Sequence, residues 1–386
     1  SILCEDLPRM FEEEFKFVPE TKFVPPLMHP KTTASGEYIS PYNVNLRKIG
    51  VQKKALNRDV LESCITDFLD HSVRQLKERG RDKISPLDME HAINGDTDDA
   101  YLRRINPSTG AGYGFKGKKN VWLPIVREDE KSVVRLPSDE LLAKVSAKMS
   151  SYDNEQSAGT IFGAKLKDEP RALEKVLKGK TRMFYPAAID FLIVSRMYLA
   201  PLFTLLVEFN DIFYTSVGIN MMSDGDAFYR RFESFADSED CIFDGDYGGF
   251  DTSMPYEIGH AAASFIYRLA EQLGYNDHAL KMLSGVLSDS LFPIIEVNGD
   301  IFICAGLMTS GGYGTAEFNC IRSVMLLMYA FAMTPGLTLD DFRNNFLKTT
   351  YGDDVTGVVK KCISDKFNNV MYAEFCAKHY GMEFTT

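Results

Sequence analysis

The chain has 386 residues, 45% of them hydrophobic, 12% aromatic and 25% charged, enough for two or three structural units with a real core. That composition excludes a disordered or low-complexity chain. A net charge of −11 excludes a uniformly basic surface for nucleic acid but leaves room for a local one.

In chain order, residues 1–50 carry Pro19, Pro25, Pro26, Pro30 and Pro41 and predict an extended arm packing over another unit. The first twenty residues are acidic and do not read as a signal peptide. Apolar residues at helical spacing from Val60 to Leu76 predict a helix over 57–79, stopped by Gly80. Ser85-Pro86 predicts the start of a short helix that closes at Asn94-Gly95. Pro107 to Gly114 is a glycine-rich loop, followed by Lys116, Lys118 and Lys119. A helix is expected over 136–149 from Ser138, then one strand over 160–166. A long buried helix, interrupted or kinked near Pro201, is expected over 190–208. Cys241-Ile242-Phe243 predicts a short strand running into Asp244-Gly245-Asp246. Helices follow over 256–273 and 277–290. Asn298-Gly299 between apolar runs predicts a hairpin. A helix over 315–333 is stopped by Pro335-Gly336, and a last helix spans 365–379. The apolar stretches 191–209 and 324–333 are broken by Arg196 or too short to span a bilayer, so no transmembrane segment is expected. Seven scattered cysteines without a paired motif predict reduced thiols in a cytosol-like compartment.

Charge is unevenly spread. Residues 103–119 hold five basic and no acidic residues, and 165–182 hold seven basic and three acidic, whereas 224–246 hold eight acidic and two basic. Such a division suits a protein that holds phosphate backbone in one place and metals in another. Tyr351-Gly352-Asp353-Asp354 lies between two apolar strand-like runs. Adjacent carboxylates on a tight hairpin repel unless a cation sits beside them, and Mg²⁺ prefers such oxygens. Asp246 and Asp251 are five apart, and Gly248-Gly249 lets the chain turn so that both face one cavity. The competing reading makes Asp251, Thr252 and Ser253 a helix cap. Asp244 shares a strand face with Asp246 and is an alternative ligand. In Gly306 to Asn319 a glycine loop leads into a helix on which Thr315 and Asn319 lie one turn apart. A buried Asn beside a carboxylate can hold a hydroxyl. Lys165, Lys167, Arg171, Lys175, Lys178, Lys180 and Arg182 supply the cations a triphosphate needs, or else form a solvated surface hairpin.

These motifs, in this order, resemble the RNA-dependent RNA polymerases of positive-strand RNA viruses, the picornavirus-like group, over nearly the whole chain. Pro30-Lys31-Thr32 fits the N-terminal arm. Thr109-Gly110-Ala111-Gly112-Tyr113 with Gly117-Lys118-Lys119 resembles the loop that admits the template. Residues 167–182 resemble the fingers motif that admits the nucleotide. Asp246 to Asp251, Ser310 to Asn319 and Tyr351 to Asp354 resemble motifs A, B and C, and residues 376–386 the start of motif D.

The resemblance implies an α+β right-hand polymerase whose palm carries the catalytic aspartates on an antiparallel sheet. It implies fingers over 1–199, palm over 200–262, a fingers insertion over 263–303 and palm again over 304–386. Asp246 and Asp353, supported by Asp354, would bind two Mg²⁺ ions, with Mn²⁺ able to substitute. Lys167 and Arg182, with Arg171, Lys175 and Lys180 nearby, would neutralise the triphosphate. Asp251 and Asn319, helped by Ser310, Gly311 and Thr315, would read the ribose 2′-hydroxyl. Thr109, Gly110, Gly112, Tyr113, Lys118 and Lys119 would contact RNA. The implied partners are template and primer RNA, ribonucleoside triphosphates, a protein primer and other viral replication proteins. The implied setting is the host cytoplasm, at membrane-associated replication complexes. The family continues past motif D to a catalytic lysine and a helical thumb, so an end at Thr386 predicts a fragment of a longer polymerase or polyprotein. Two alternatives are a reverse transcriptase, which usually places a bulky residue where Asp251 stands, and a catalytically incomplete RNA-binding fragment.

Overall fold

Side-chain alternation builds the sheet that positions the acidic residues. Along the strand Ile242–Tyr247, Ile242, Asp244 and Asp246 are exposed while Phe243 and Tyr247 are buried. The computed structural model describes residues 23–49, 53–96, 99, 101–128, 133–238 and 241–386. In it this strand lies third in a four-stranded antiparallel sheet, in the order Phe346–Tyr351, Asp354–Val359, Ile242–Tyr247, Phe384–Thr385. Register sets Asp246 opposite Asp354. The buried face carries an aromatic cluster of Phe243, Phe346, Phe367, Tyr372 and Phe384, with Phe243 and Phe367 stacked 5.7 Å apart. Burying each ring contributes about 1.5–3 kcal/mol, so the acidic strand is anchored from behind.

The helix Thr315–Met333 packs against the first strand of this sheet and is buried nearly all round. It also packs on Arg58–Glu78, which in turn packs on Tyr256–Gln272. Asn57 caps the Arg58–Glu78 helix, its side chain accepting from the N–H groups of Asp59 and Val60. Phe68 and Phe265 stack at 4.3 Å between the two helices. The helices Ile189–Glu208 and Thr315–Met333 are long and apolar enough to cross a membrane, but most of each lies inside the protein. They are core helices.

A second sheet joins distant segments. The Asn298-Gly299 hairpin forms as expected, both residues having positive φ (54° and 95°). Its first strand, Ile294–Val297, pairs parallel with Ile161–Gly163. Next to it the helix Asp277–Leu291 packs on Asp139–Asp153 and Ile189–Glu208. The buried Asp289 carboxylate there accepts from the hydroxyls of Tyr152, Ser157 and Thr160 at 2.8, 2.6 and 2.6 Å.

Several elements differ from expectation. The single strand over 160–166 is two, Ile161–Gly163 and Lys165–Leu166, and they belong to different sheets. The short helix starts at Met89, not at Ser85-Pro86, because Asp88 caps it while Leu87 is drawn off to bond the Met197 carbonyl. The long helix continues through Pro201 without interruption. The last helix is Asn369–Phe375, capped by Asn368 and extended by a wider turn over Cys376–Tyr380. Part of the supposed arm is a helix, Pro41–Ile49, with proline at its first position. Pro19, Cys4 and the acidic first twenty residues lie outside the described residues. The six described cysteines are free thiols.

Candidate active site

The Asp-Asp hairpin forms where expected. Tyr351 pairs with Asp354 across a two-residue loop, and Gly352 takes φ +65° at its first position. The acidic strand lies alongside, so Asp246, Asp353 and Asp354 act on one another electrostatically. Asp246 reaches solvent, but partial burial at its base raises its carboxyl above the usual range, and Asp353 and Asp354 push it further. Burial also raises Asp354, with Asp353 and Asp244 adding to it. Among the described residues no three His, Cys, Asp or Glu side chains close on a single point tightly enough to cage a metal by themselves. Mg²⁺ does not require such a cage, since it usually takes one or two carboxylates plus phosphate and water oxygens. Carboxylates that hinder one another's ionisation fit a divalent cation. Asp244 is partly committed elsewhere: its Oδ1 accepts from the Thr356 hydroxyl at 2.8 Å.

Gly248 and Gly249 turn the chain after the acidic strand, Gly249 at φ +65°, into a one-turn helix Phe250–Ser253. The capping alternative fails for Asp251. Thr252 and Ser253 direct their hydroxyls to the Gly249 carbonyl, while Asp251 Oδ1 accepts from Asn319 Nδ2 at 3.0 Å. The Asn319 side chain is buried and its Oδ1 has no partner. Burial raises the Asp251 carboxyl; hydrogen bonds from Asn319 and Ser310 and the charge of Arg322 oppose that shift, and Asp353 adds to it. Thr315 is engaged differently from Asn319: its hydroxyl donates to the Gly312 carbonyl at 3.3 Å and accepts from the Gly311 N–H at 3.5 Å. It shapes the glycine loop.

The basic tract is spliced onto that loop. Lys165–Leu166 pairs with Met183–Phe184, and the Lys167 N–H donates to the Arg182 carbonyl at 2.9 Å, bringing those two cations together. Arg182 and Arg171 share the Glu169 carboxylate at 3.5 and 3.7 Å. Lys175 and Lys180 are exposed. Beyond Phe184, the Tyr185 N–H donates to the Ser310 carbonyl at 2.9 Å and the Ala187 N–H to the Gly311 carbonyl at 3.4 Å. Gly311 has φ +127°, and an added Cβ there would meet the Pro186 backbone at 3.1 Å, so glycine is needed at this junction.

The sequence family described as viral RNA-dependent RNA polymerase matches residues 39–386. The chain belongs to that family. Among curated relatives, the replication polyprotein of Nora virus is 24% identical over 296 residues, covering 74% of this chain and 14% of the relative. The replicase polyprotein of cricket paralysis virus is 23% identical over 371 residues, covering 88% of this chain and 20% of the relative. The chain thus spans a fifth or less of those polyproteins. Among solved structures, a Sicinivirus 3Dpol RNA-dependent RNA polymerase superposes with a TM-score of 0.77 at 18% identity, covering 95% of this chain and 70% of that one. That likeness establishes the right-hand polymerase fold.

In this chain the predicted template loop is a closed turn. Lys119 Nζ donates to Thr109 Oγ1 at 2.7 Å and to the Gly110 carbonyl at 2.9 Å, so Lys119 points into the loop rather than outward. Burial lowers its pKa. Gly110 pairs with Lys118, whose side chain, like that of Tyr113, is exposed. Gly112 has φ +92°, and a Cβ there would sit 2.5 Å from the Ala188 Cα. Sequence reasoning missed two charged residues of the candidate site. Lys48, on the Pro41–Ile49 helix, has its pKa lowered by burial and by Lys180 and Arg171, so it joins the basic tract from more than a hundred residues away. Arg322 is fully buried, and burial pushes it down to about 10 against the pull of Asp251. Its position one turn after Asn319 was the available signal.

Proposed function

We propose that this chain carries out template-directed synthesis of RNA, joining ribonucleoside triphosphates to an RNA 3′-hydroxyl during genome replication and transcription of a positive-strand RNA virus. One juxtaposition carries the reading. The Asp246–Asp354 pair with Asp353 lies within electrostatic reach of a buried Asp251–Asn319 pair that holds an unpartnered acceptor.

Asp246 and Asp353, with Asp354, would hold two Mg²⁺ ions, or Mn²⁺ in their place. When bound, such cations make the primer 3′-hydroxyl more acidic and stabilise the leaving pyrophosphate. Lys167 and Arg182 bind the triphosphate, with Arg171, Lys175 and Lys180 around them. Arg suits phosphate because its planar fork binds two oxygens at once. Asn319 Oδ1 accepts the ribose 2′-hydroxyl proton, while Asp251 fixes the amide so that its oxygen, not its nitrogen, faces the sugar. Ser310, Gly311 and Thr315 hold that arrangement from the glycine loop. Thr109, Gly110, Gly112, Tyr113, Lys118 and Lys119 form the wall along which template passes. Lys119 serves the wall by closing the turn.

The same reading extends to architecture and setting. Fingers would comprise 1–199 and 263–303, and palm 200–262 and 304–386. The pairing of Ile161–Gly163 with Ile294–Val297 supports grouping the two fingers segments. Template and primer RNA, a protein primer and other replication proteins would be the partners, at membrane-associated complexes in the host cytoplasm. A reverse transcriptase is disfavoured by the Asp251–Asn319 pair, which suits a 2′-hydroxyl rather than its exclusion. The test is incorporation on a primed RNA template with ribo- or deoxynucleotides, with and without Mg²⁺. Mg²⁺-dependent ribonucleotide addition is expected; preferred deoxynucleotide addition would overturn the reading.

A further inference from the structure

The helix that carries Asn319 also grips the Asp-Asp hairpin. Cys320 and Ser323 lie three residues apart and therefore on one face of Thr315–Met333. The Cys320 thiol accepts from the Gly352 N–H at 3.2 Å and donates to the Thr350 carbonyl at 3.3 Å. The Ser323 hydroxyl donates to the Gly352 carbonyl at 2.7 Å. Both side chains are completely buried. Gly352 is thus bound at both its backbone polar groups, and it directly precedes Asp353.

The blander reading treats Cys320 as a small core residue, the usual role of a buried thiol. Two observations count against it. The sulfur both donates and accepts, joining the end of the strand at Thr350 to the turn at Gly352. A Cβ placed on Gly352 would meet nothing within 4 Å, so packing on that side does not fix the turn. Burial pushes the thiol up to about 12, so it stays protonated and keeps its donor. A two-residue hairpin tip ordinarily leaves its polar groups to water. Here a helix supplies the partners.

We propose that Cys320 and Ser323 are positioning residues of the catalytic centre, clamping Gly352 so that the hairpin tip presents Asp353 beside Asp246. This rests on the polymerase reading for the purpose of the clamp, not for its existence. The clamp adjoins Asn319, so one helical turn holds both the sugar-reading amide and the carboxylate-bearing turn. Disturbing this turn should shift both functions.

The experiment follows amide hydrogen exchange at Gly352 by NMR in the intact chain, together with Mn²⁺ binding by titration. Cys320→Ala, Cys320→Ser and Ser323→Ala are compared with wild type. Loss of one such hydrogen bond should speed Gly352 exchange and weaken Mn²⁺ binding by about three- to tenfold in Cys320→Ala. Cys320→Ser, which keeps a donor and an acceptor, should recover most of both. Ser323→Ala should weaken Mn²⁺ binding similarly while leaving the Gly352 N–H bonded to sulfur. Unchanged Gly352 exchange in Cys320→Ala, Cys320→Ser as impaired as Cys320→Ala, or altered exchange with unchanged Mn²⁺ affinity would each overturn the proposal. If the wild-type chain binds no Mn²⁺ at all, the polymerase reading falls, while the exchange comparison still decides whether the clamp exists.

Discussion

Replacing Asn319 by alanine tests its proposed role in reading the ribose. In the structure its Nδ2 is spent on Asp251 at 3.0 Å, and its Oδ1 is buried without a partner. A ribose 2′-hydroxyl donating to Oδ1 satisfies that oxygen. A deoxyribose leaves that already buried oxygen unpaired and forgoes about 1–3 kcal/mol. The resulting discrimination from this contact is roughly 5- to 150-fold in kpol/Kd for ATP over dATP. In Asn319→Ala the orphan acceptor is gone, so that factor should vanish from the ratio. The variant also strips Asp251 of one of its donors, which weakens both nucleotides together and cancels in the ratio. Single-nucleotide incorporation with ATP and dATP on one primed template measures it. A ratio unchanged within about twofold would refute the reasoning, since a buried unpaired acceptor is worth more than that.

Two other substitutions follow from the same geometry. The carboxyls of Asp246, Asp251 and Asp354 are all raised, first by burial. A raised folded-state carboxyl means that the folded chain binds protons more tightly than the unfolded one. Its stabilising contribution is present below the unfolded carboxylate pKa and is lost as pH rises through the folded value. Asp251→Asn should therefore melt higher than wild type at neutral pH, the gap closing on acidification; a gap independent of pH would contradict the sign. Gly112→Ala places a Cβ 2.5 Å from the Ala188 Cα at φ +92°, so urea unfolding should show a stability lower by about 1–3 kcal/mol. Template affinity should fall with it, and a variant as stable as wild type would show that the loop has room.

Much of the site could be read from sequence because its chemistry is local. Gly352 before Asp353, Asn298-Gly299, and the mostly apolar Thr315–Met333 each fix their own conformation within a few residues. The Asp251–Asn319 contact was legible only through the ordered set of motifs, since 68 residues separate the partners. What stayed hidden depends on tertiary placement. Lys48 reaches the basic tract through the fold, and nothing nearby in sequence marks it. A thiol that bonds two backbone groups looks like any core cysteine until Gly352 is seen beside it. The helix Met221–Phe235 escaped notice among the charged residues of its region, although Phe228 and Phe232 pair on one face at 4.9 Å. Lys119 reads as a free cation in sequence and proves to be the staple of its own loop.

The central claim is that Asp353, opposite Asp246, holds the cations of nucleotidyl transfer. Asp353→Asn keeps the shape of the hairpin tip and removes one charge. Mg²⁺-dependent ribonucleotide incorporation should then fall by about a thousandfold, the several kcal/mol that such metals contribute. The melting temperature of the chain should be no lower than that of wild type. Incorporation at the wild-type rate in Asp353→Asn would contradict the account.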